Sequence, residues 1–171
     1  MNLDWIKYII WTVVLILFQS LVFNHIAFFS YINPFVYVLL IIMLPLNLSK
    51  QFVLVYSFLV GLSIDLFGDS AGLHAGASTL MGLTRGYLLN VVKPREGYEN
   101  GDDITIFNLG FQNFLIYAGI LISIHHFYLF FLEAFKWSLF FESFIKSILS
   151  SIVTILMIII AQYLFMKKKL R

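Results

Sequence analysis

The sequence predicts an all-α polytopic membrane protein, one bundle of six transmembrane helices formed by the whole of residues 1–171. Composition is the first reason. Of the 171 residues, 61% are hydrophobic and 12% charged, and the mean hydropathy is +0.93. A soluble domain of this length has too little interior to hide that much apolar surface. Patterning is the second: the apolar residues gather into runs at roughly 5–23, 34–48, 52–67, 72–92, 107–131 and 138–166. The third is the placement of Lys and Arg, which fall on alternate connections and so give the runs a consistent direction.

The first run, WIKYIIWTVVLILFQSLVF, is expected to remain as an anchor, because it lacks a small-residue cleavage site and its flank sets Asp4 beside Lys7. The second, starting at Pro34, is short against the roughly 20 residues that a hydrocarbon core of about 30 Å requires. The IAFFSYIN stretch before it is therefore assigned to the interface. The third and fourth runs are joined by GDSAG (68–72), and the second and third by PLNLSK (45–50). Connections this short make their flanking helices antiparallel neighbours. The fifth and sixth are long enough to tilt or to project beyond the bilayer.

Orientation follows from the basic residues. Lys7, Lys50, Lys93, Arg95, Lys167, Lys168, Lys169 and Arg171 fall on one side, and only Lys136 falls in a connection on the other. Eight against one places both termini in the cytoplasm. The basic tail then meets anionic lipid headgroups. The polar loop KPREGYENGDDIT (93–105), containing Pro94, Arg95, Glu96, Gly97 and Tyr98, is cytoplasmic. The run FYLFFLEAFKWSLFF (127–141) lies at the outer interface, where Trp137 and Tyr128 suit the headgroup level.

Ionisable side chains inside the runs need a reason, since each is expensive in lipid. On the fourth helix, at 100° per residue, Gly72, Ala75, Gly76, Thr79, Gly82 and Gly86 share a sector of about 120°. This sector contains the small-xxx-small pairs Gly72/Gly76 and Gly82/Gly86, which let backbones approach closely. His74, Ser78, Met81 and Arg85 lie on the opposite side. A helix with a close-packing face and a polar face is expected at the enclosed centre of the bundle.

Asp65 sits near the outer turn and Arg85 much deeper, an axial gap of about 15 Å that excludes an ion pair between them. Asp65, with Asp69, is expected to accept from the free N–H groups at the start of the fourth helix. A proton- or ligand-binding role and a partner-helix contact are its alternatives. Arg85 is expected to snorkel or to pair internally, the alternative being a cation offered to a partner or headgroup. Glu142 and Lys146 have the favourable i, i+4 spacing beside a stripe of Ser143, Ser147, Ser150 and Thr154. They form either a self-satisfied pair or, with Asp65 and His74, an outer-leaflet polar cluster.

Nothing points to catalysis, a metal, a cofactor or nucleic acid. Zero cysteines remove disulfides, thiolate metal sites and a Cys nucleophile. The adjacent His125 and His126 point to different sides, and no nucleophile, base and orienter can be aligned. A His-x-x-x-His spacing, a phosphate-binding glycine loop and mid-membrane carboxylates lining a permeation path are all missing.

The stretch GLSIDLFGDSAGLHAGASTLMGLTRGYLL (61–89) resembles the signature hairpin of the rod shape-determining MreD family. Its residues Gly61, Asp65, Gly68, Gly72 and Gly76 correspond to the hairpin motif. The length, the MLPLNLSK turn, the KPREGYE loop and the HHFYLFFLEAF segment extend the resemblance to the whole chain and to the Bacteroidota-type branch. The resemblance implies a non-enzymatic inner-membrane scaffold of the cell-elongation complex that supports lateral peptidoglycan synthesis. Its implied partners are MreC, by direct docking, then MreB filaments, RodA and the transpeptidase that works with RodA. Its implied fold is similar to the substrate-binding subunit of energy-coupling-factor transporters. That likeness raises the alternative of a vitamin-binding transport subunit. The absence of an alanine-x-x-x-alanine pair from the first helix counts against it.

Overall fold

Residues 3–25, 31–68, 70–93, 97 and 104–166 are described by a computed structural model of the chain. All regular elements among them are helical: α1 (Leu3–Leu21), α2 (Leu39–Ile42), α3 (Lys50–Gly68), α4 (Leu73–Val91), α5 (Ile106–Leu109), α6 (Phe111–Ala134) and α7 (Phe140–Phe165). Asp69, residues 26–30, the loop residues Pro94, Arg95, Glu96 and Tyr98, and the basic tail lie outside the described residues. Three helical stretches are long and apolar enough to cross a membrane: Lys50–Gly68, Phe111–Ala134 and Trp137–Phe165. This is a membrane protein. The apolar part of α1, Ile6–Leu21, is shorter, and α4 is diluted by its glycines, His74 and Arg85.

Two antiparallel hairpins make the frame. α3 packs along α4, α6 packs along α7, α4 meets α6 between them, and α1 lies on α3. Helices in lipid gain nothing from hydrophobic association, so close backbone contact must hold them. A Cβ on Gly61 would stand 2.3 Å from the His74 carbonyl oxygen and 2.7 Å from the Ala75 Cα, which marks the tightest crossing of α3 and α4. One turn further down, Gly82 faces Ser57, whose Oγ would be 2.5 Å from an added Cβ. Gly76 faces α6, where the Tyr128 ring lies 3.1 Å from the Cβ position. Tyr128 is thus a packing residue.

The small-residue stripe of α4 is not one continuous face. Gly72, at φ +88°, belongs to the turn and precedes the first helical residue, where only glycine is relaxed. Gly86 has nothing within 4 Å of its Cβ position and is exposed. Leu83 is 54% exposed and Tyr87 73%. The N-terminal half of α4 is enclosed as expected, but its C-terminal half turns one stripe outward. The polar face is buried throughout: His74, Ser78, Met81 and Arg85 are all inside.

The largest departure is the second expected span. Residues 34–48 do not form a continuous helix. A 3-10 turn, Val36–Val38, leads into the four-residue α2, and extended or irregular chain flanks both. Such a piece is about 12 Å long at 1.5–2.0 Å per residue, far short of a membrane crossing. Yet every residue from Phe35 to Ile42 is buried, Tyr37, Val38, Ile41 and Ile42 completely. Contacts with α1, α4 and α7 place this segment, rather than α4 alone, at the centre of the bundle.

Candidate functional site

A short helix in the middle of a membrane protein exposes unpaired backbone groups at both ends, and no water is at hand to satisfy them. Here side chains from four surrounding helices close the account. At the upstream end, the Asn33 N–H donates to Ser150 Oγ and the Phe35 N–H to Thr154 Oγ1, each at 3.1 Å. Gln19 of α1 serves both polarities. Its Oε1 accepts from the N–H groups of Val36 (2.8 Å) and Tyr37 (3.4 Å), while its Nε2 donates to the Pro34 carbonyl at 3.1 Å. At the downstream end, the Tyr117 hydroxyl of α6 donates to the Ile42 carbonyl at 3.1 Å. Arg85 of α4 donates through Nη2 to the carbonyls of Leu44 and Pro45. Arg85 is therefore internally paired rather than snorkelling, and it is buried.

Asp65 does for α4 what these residues do for the central segment. The N-cap position of α4 is Gly72, which has no side chain to accept the first N–H groups. Asp65, projecting from α3, supplies the acceptor. Its Oδ1 receives the His74 N–H at 3.0 Å and the Ser70 hydroxyl at 2.5 Å, and its Oδ2 receives the Ala75 N–H at 2.8 Å. The carboxylate also lies at the positive end of the α4 dipole. This is the geometry expected from the sequence.

A polar network fills the space between the central segment and α4 and α6. The Tyr37 hydroxyl lies 3.0 Å from His74 Nδ1, 3.2 Å from Ser78 Oγ and 2.6 Å from His125 Nε2. His126 turns away from it: Nδ1 donates to the Ile122 carbonyl at 2.9 Å, so Nε2 accepts from the Thr154 hydroxyl at 3.1 Å. Both histidines are fully buried. The Phe35 ring meets His74 edge-on, with centroids 4.8 Å apart, and closes the network on its outer side.

Above Phe35 and His74 lies a pocket of about 380 Å³, partly open, between the end of α1, the α3–α4 turn and the outer part of α6. Aromatic rings of Phe23, Phe67 and Phe130 form its walls, with Asn24, Asn33 and Ser70 among them. Glu133 stands at its rim and pairs with Lys146 of α7 at 3.3 Å. The Lys146 ammonium also sits 4.5 Å from the centroid of the Phe130 ring. Glu142 accepts instead from the Tyr31 hydroxyl at 3.0 Å, and this hydrogen bond to a carboxylate holds the tyrosine above its ordinary pKa.

Two expectations are corrected by this geometry. Glu142 and Lys146 do not pair with each other, because Glu133 reaches the ammonium from the facing helix. The outer-leaflet cluster of Asp65, His74, Glu142 and Lys146 does not form: Asp65 meets His74 through the His74 backbone N–H, while Glu142 bonds Tyr31 and Lys146 pairs with Glu133. Conversely, Gln19, Tyr37, Tyr117 and the His125/His126 roles were not anticipated. Their only sequence signal is a hydrogen-bonding group within an apolar run. No group of His, Cys, Asp and Glu among the described residues has a metal-binding arrangement. No family model, no curated protein and no solved structure matches the chain.

Proposed function

We propose that this protein is a scaffold subunit of the bacterial cell-elongation machinery, of the MreD type, and that it acts by holding partner proteins rather than by chemistry. One observation carries the reading: four of the five residues of the hairpin motif have a building task, Gly68 being exposed with only ordinary contacts. Gly61 lets the backbones of α3 and α4 touch, Asp65 closes the first turn of α4, Gly72 makes the left-handed entry, and Gly76 seats Tyr128 of α6. A motif spent on packing and capping is what a rigid docking body requires. In this proposal the chain crosses the inner membrane six times with both termini in the cytoplasm, the second pass being made by the irregular segment. The bundle docks the membrane helix of MreC, while loop 93–105 and the basic tail face MreB, RodA and its transpeptidase. The likeness to a transporter binding subunit belongs to the same proposal. Affinity capture of the tagged protein from native membranes should recover MreC, and its depletion should turn rod cells round. Normal rods after depletion, together with capture free of wall-synthesis proteins, would overturn it.

A further inference from the structure

The faces that the bundle turns to lipid differ in reach. α1 and α3 lie side by side and in register. The Thr12 and Tyr56 hydroxyls meet at 2.6 Å, and a Cβ on Gly68 would stand 3.5 Å from Asn24 Nδ2. Thr12 to Asn24 and Tyr56 to Gly68 are equal distances along their helices, so both helices present apolar side chains over the same depth. α1 exposes them from Ile9 to Leu21 and α3 from Phe52 to Phe67, about 18 and 22 Å at 1.5 Å per residue. Exposed Lys7, Lys50 and Gln51 bound this face at one end, and exposed Asn24, Gly68, Ala71 and Gly72 bound it at the other. α7 differs. It exposes apolar side chains from Phe144 to Phe165, about 31 Å, while Lys146 turns inward to Glu133 and Phe130.

A hydrocarbon core of about 30 Å therefore matches α7 and exceeds the α1–α3 face by about 8 Å or more. Tilting the body does not close that gap. A tilted helix reaches less far along the membrane normal, which suits α7 and shortens α3 further. Snorkelling helps at one end only. Lys7 and Lys50 have long stems that carry their charges to the headgroups from a deeper backbone. At the other end Asn24 has a short side chain already bonded to Gln19 Nε2, and Gly68 has none. Neither reaches a headgroup from inside hydrocarbon, where unsatisfied polar groups are costly. The accommodation is left to the lipid.

We infer that the α1–α3 face binds a thinned bilayer: the leaflet at its Asn24–Gly68 end is drawn toward the membrane centre, and phospholipids with short acyl chains are preferred there over those that fit α7. The face is built from large side chains, among them Val13, Leu17 and Phe18 on α1 and Val55, Phe58 and Leu59 on α3. Helices that associate in lipid need small residues at the contact, so the occupant here is acyl chain rather than a partner helix. Nothing in this depends on the scaffold reading, and its failure would leave capture of MreC unaffected.

Tryptophan quenching by brominated lipids reads the preference at each face of the full chain. The native tryptophans are removed by Trp5→Phe, Trp11→Phe and Trp137→Phe; Trp11 meets Phe165 edge-on at 5.6 Å, a contact that phenylalanine keeps. One reporter is then introduced at an exposed position, Phe58→Trp on α3 or Ile152→Trp on α7. Bilayers mix dimyristoleoyl- and dioleoyl-phosphatidylcholine, with one of the two brominated at a time. The α3 reporter should favour the shorter lipid by about threefold, the scale set by a mismatch of several Å. The α7 reporter should favour the longer one. Leu59→Trp and Leu156→Trp, exposed on the same two helices, repeat the reading if either first reporter disturbs folding. The same preference at both helices, for either lipid, would overturn the inference. So would α3 reporters that neither lipid quenches while α7 reporters are quenched, since a protein neighbour would then cover the face.

Discussion

The polar residues around the central segment and those at the outer rim differ in what they bond to. Around residues 33–45, Gln19, Arg85, Tyr117, Ser150 and Thr154 are buried or turned inward and bond to backbone groups. At the rim, the exposed Tyr31, Glu133 and Glu142 and the half-buried Lys146 bond side chain to side chain. The difference teaches what polarity is for in this bundle. An unpaired buried backbone group has no water to fall back on, whereas an exposed ion pair loses little when broken. The inner set determines the architecture, and the rim set decorates it.

Mutations separate the two sets by magnitude. Gln19→Leu strands the N–H groups of Val36 and Tyr37 and the carbonyl of Pro34, and should cost about 3 kcal/mol. Unfolding by SDS in mixed micelles measures it. Asp65→Ala, read by the same assay, removes the acceptor of two α4 N–H groups and a favourable dipole contact, for about 2 kcal/mol. Gly61→Ala and Gly86→Ala contrast the two ends of the hairpin. The first drives a methyl group into the His74 carbonyl and should cost about 1–3 kcal/mol through overpacking. The second meets open space, so it should change stability by less than about 0.5 kcal/mol. Last comes Lys146→Met, which breaks the exposed pair with Glu133 and should cost about 0.5 kcal/mol or less, an effect that fades further at high salt. If Lys146→Met proved as damaging as Gln19→Leu, the distinction between the two sets would fail.

The same contrast explains what could be read from the chain. The α3–α4 hairpin was legible because its signals are local: a five-residue turn, small residues at helical spacing, and a carboxylate whose partners lie only nine and ten positions on. The central segment was not. VYVLLIIML reads as an ordinary apolar helix, and nothing within it announces that helical pairing stops after Ile42. The groups that stabilise the break come from far along the chain, Ser150 and Thr154 being 117 and 119 residues from their partners. Long-range capping leaves no spacing to recognise. The outer cluster failed for a related reason. An outer-leaflet cluster supposes that Asp65, His74, Glu142 and Lys146 share a level, but level does not fix which neighbour a side chain faces. Glu133, one helix away, reached Lys146 first.

The central claim is that the buried polar side chains exist to hold the irregular segment in place. Amide hydrogen exchange in nanodiscs, comparing the wild-type chain with Gln19→Leu, tests it most directly. The account predicts that Val36 and Tyr37 are strongly protected in the wild type and lose that protection in the variant, while the amides of α6 keep theirs. Unchanged protection at Val36 and Tyr37 in the variant would contradict it.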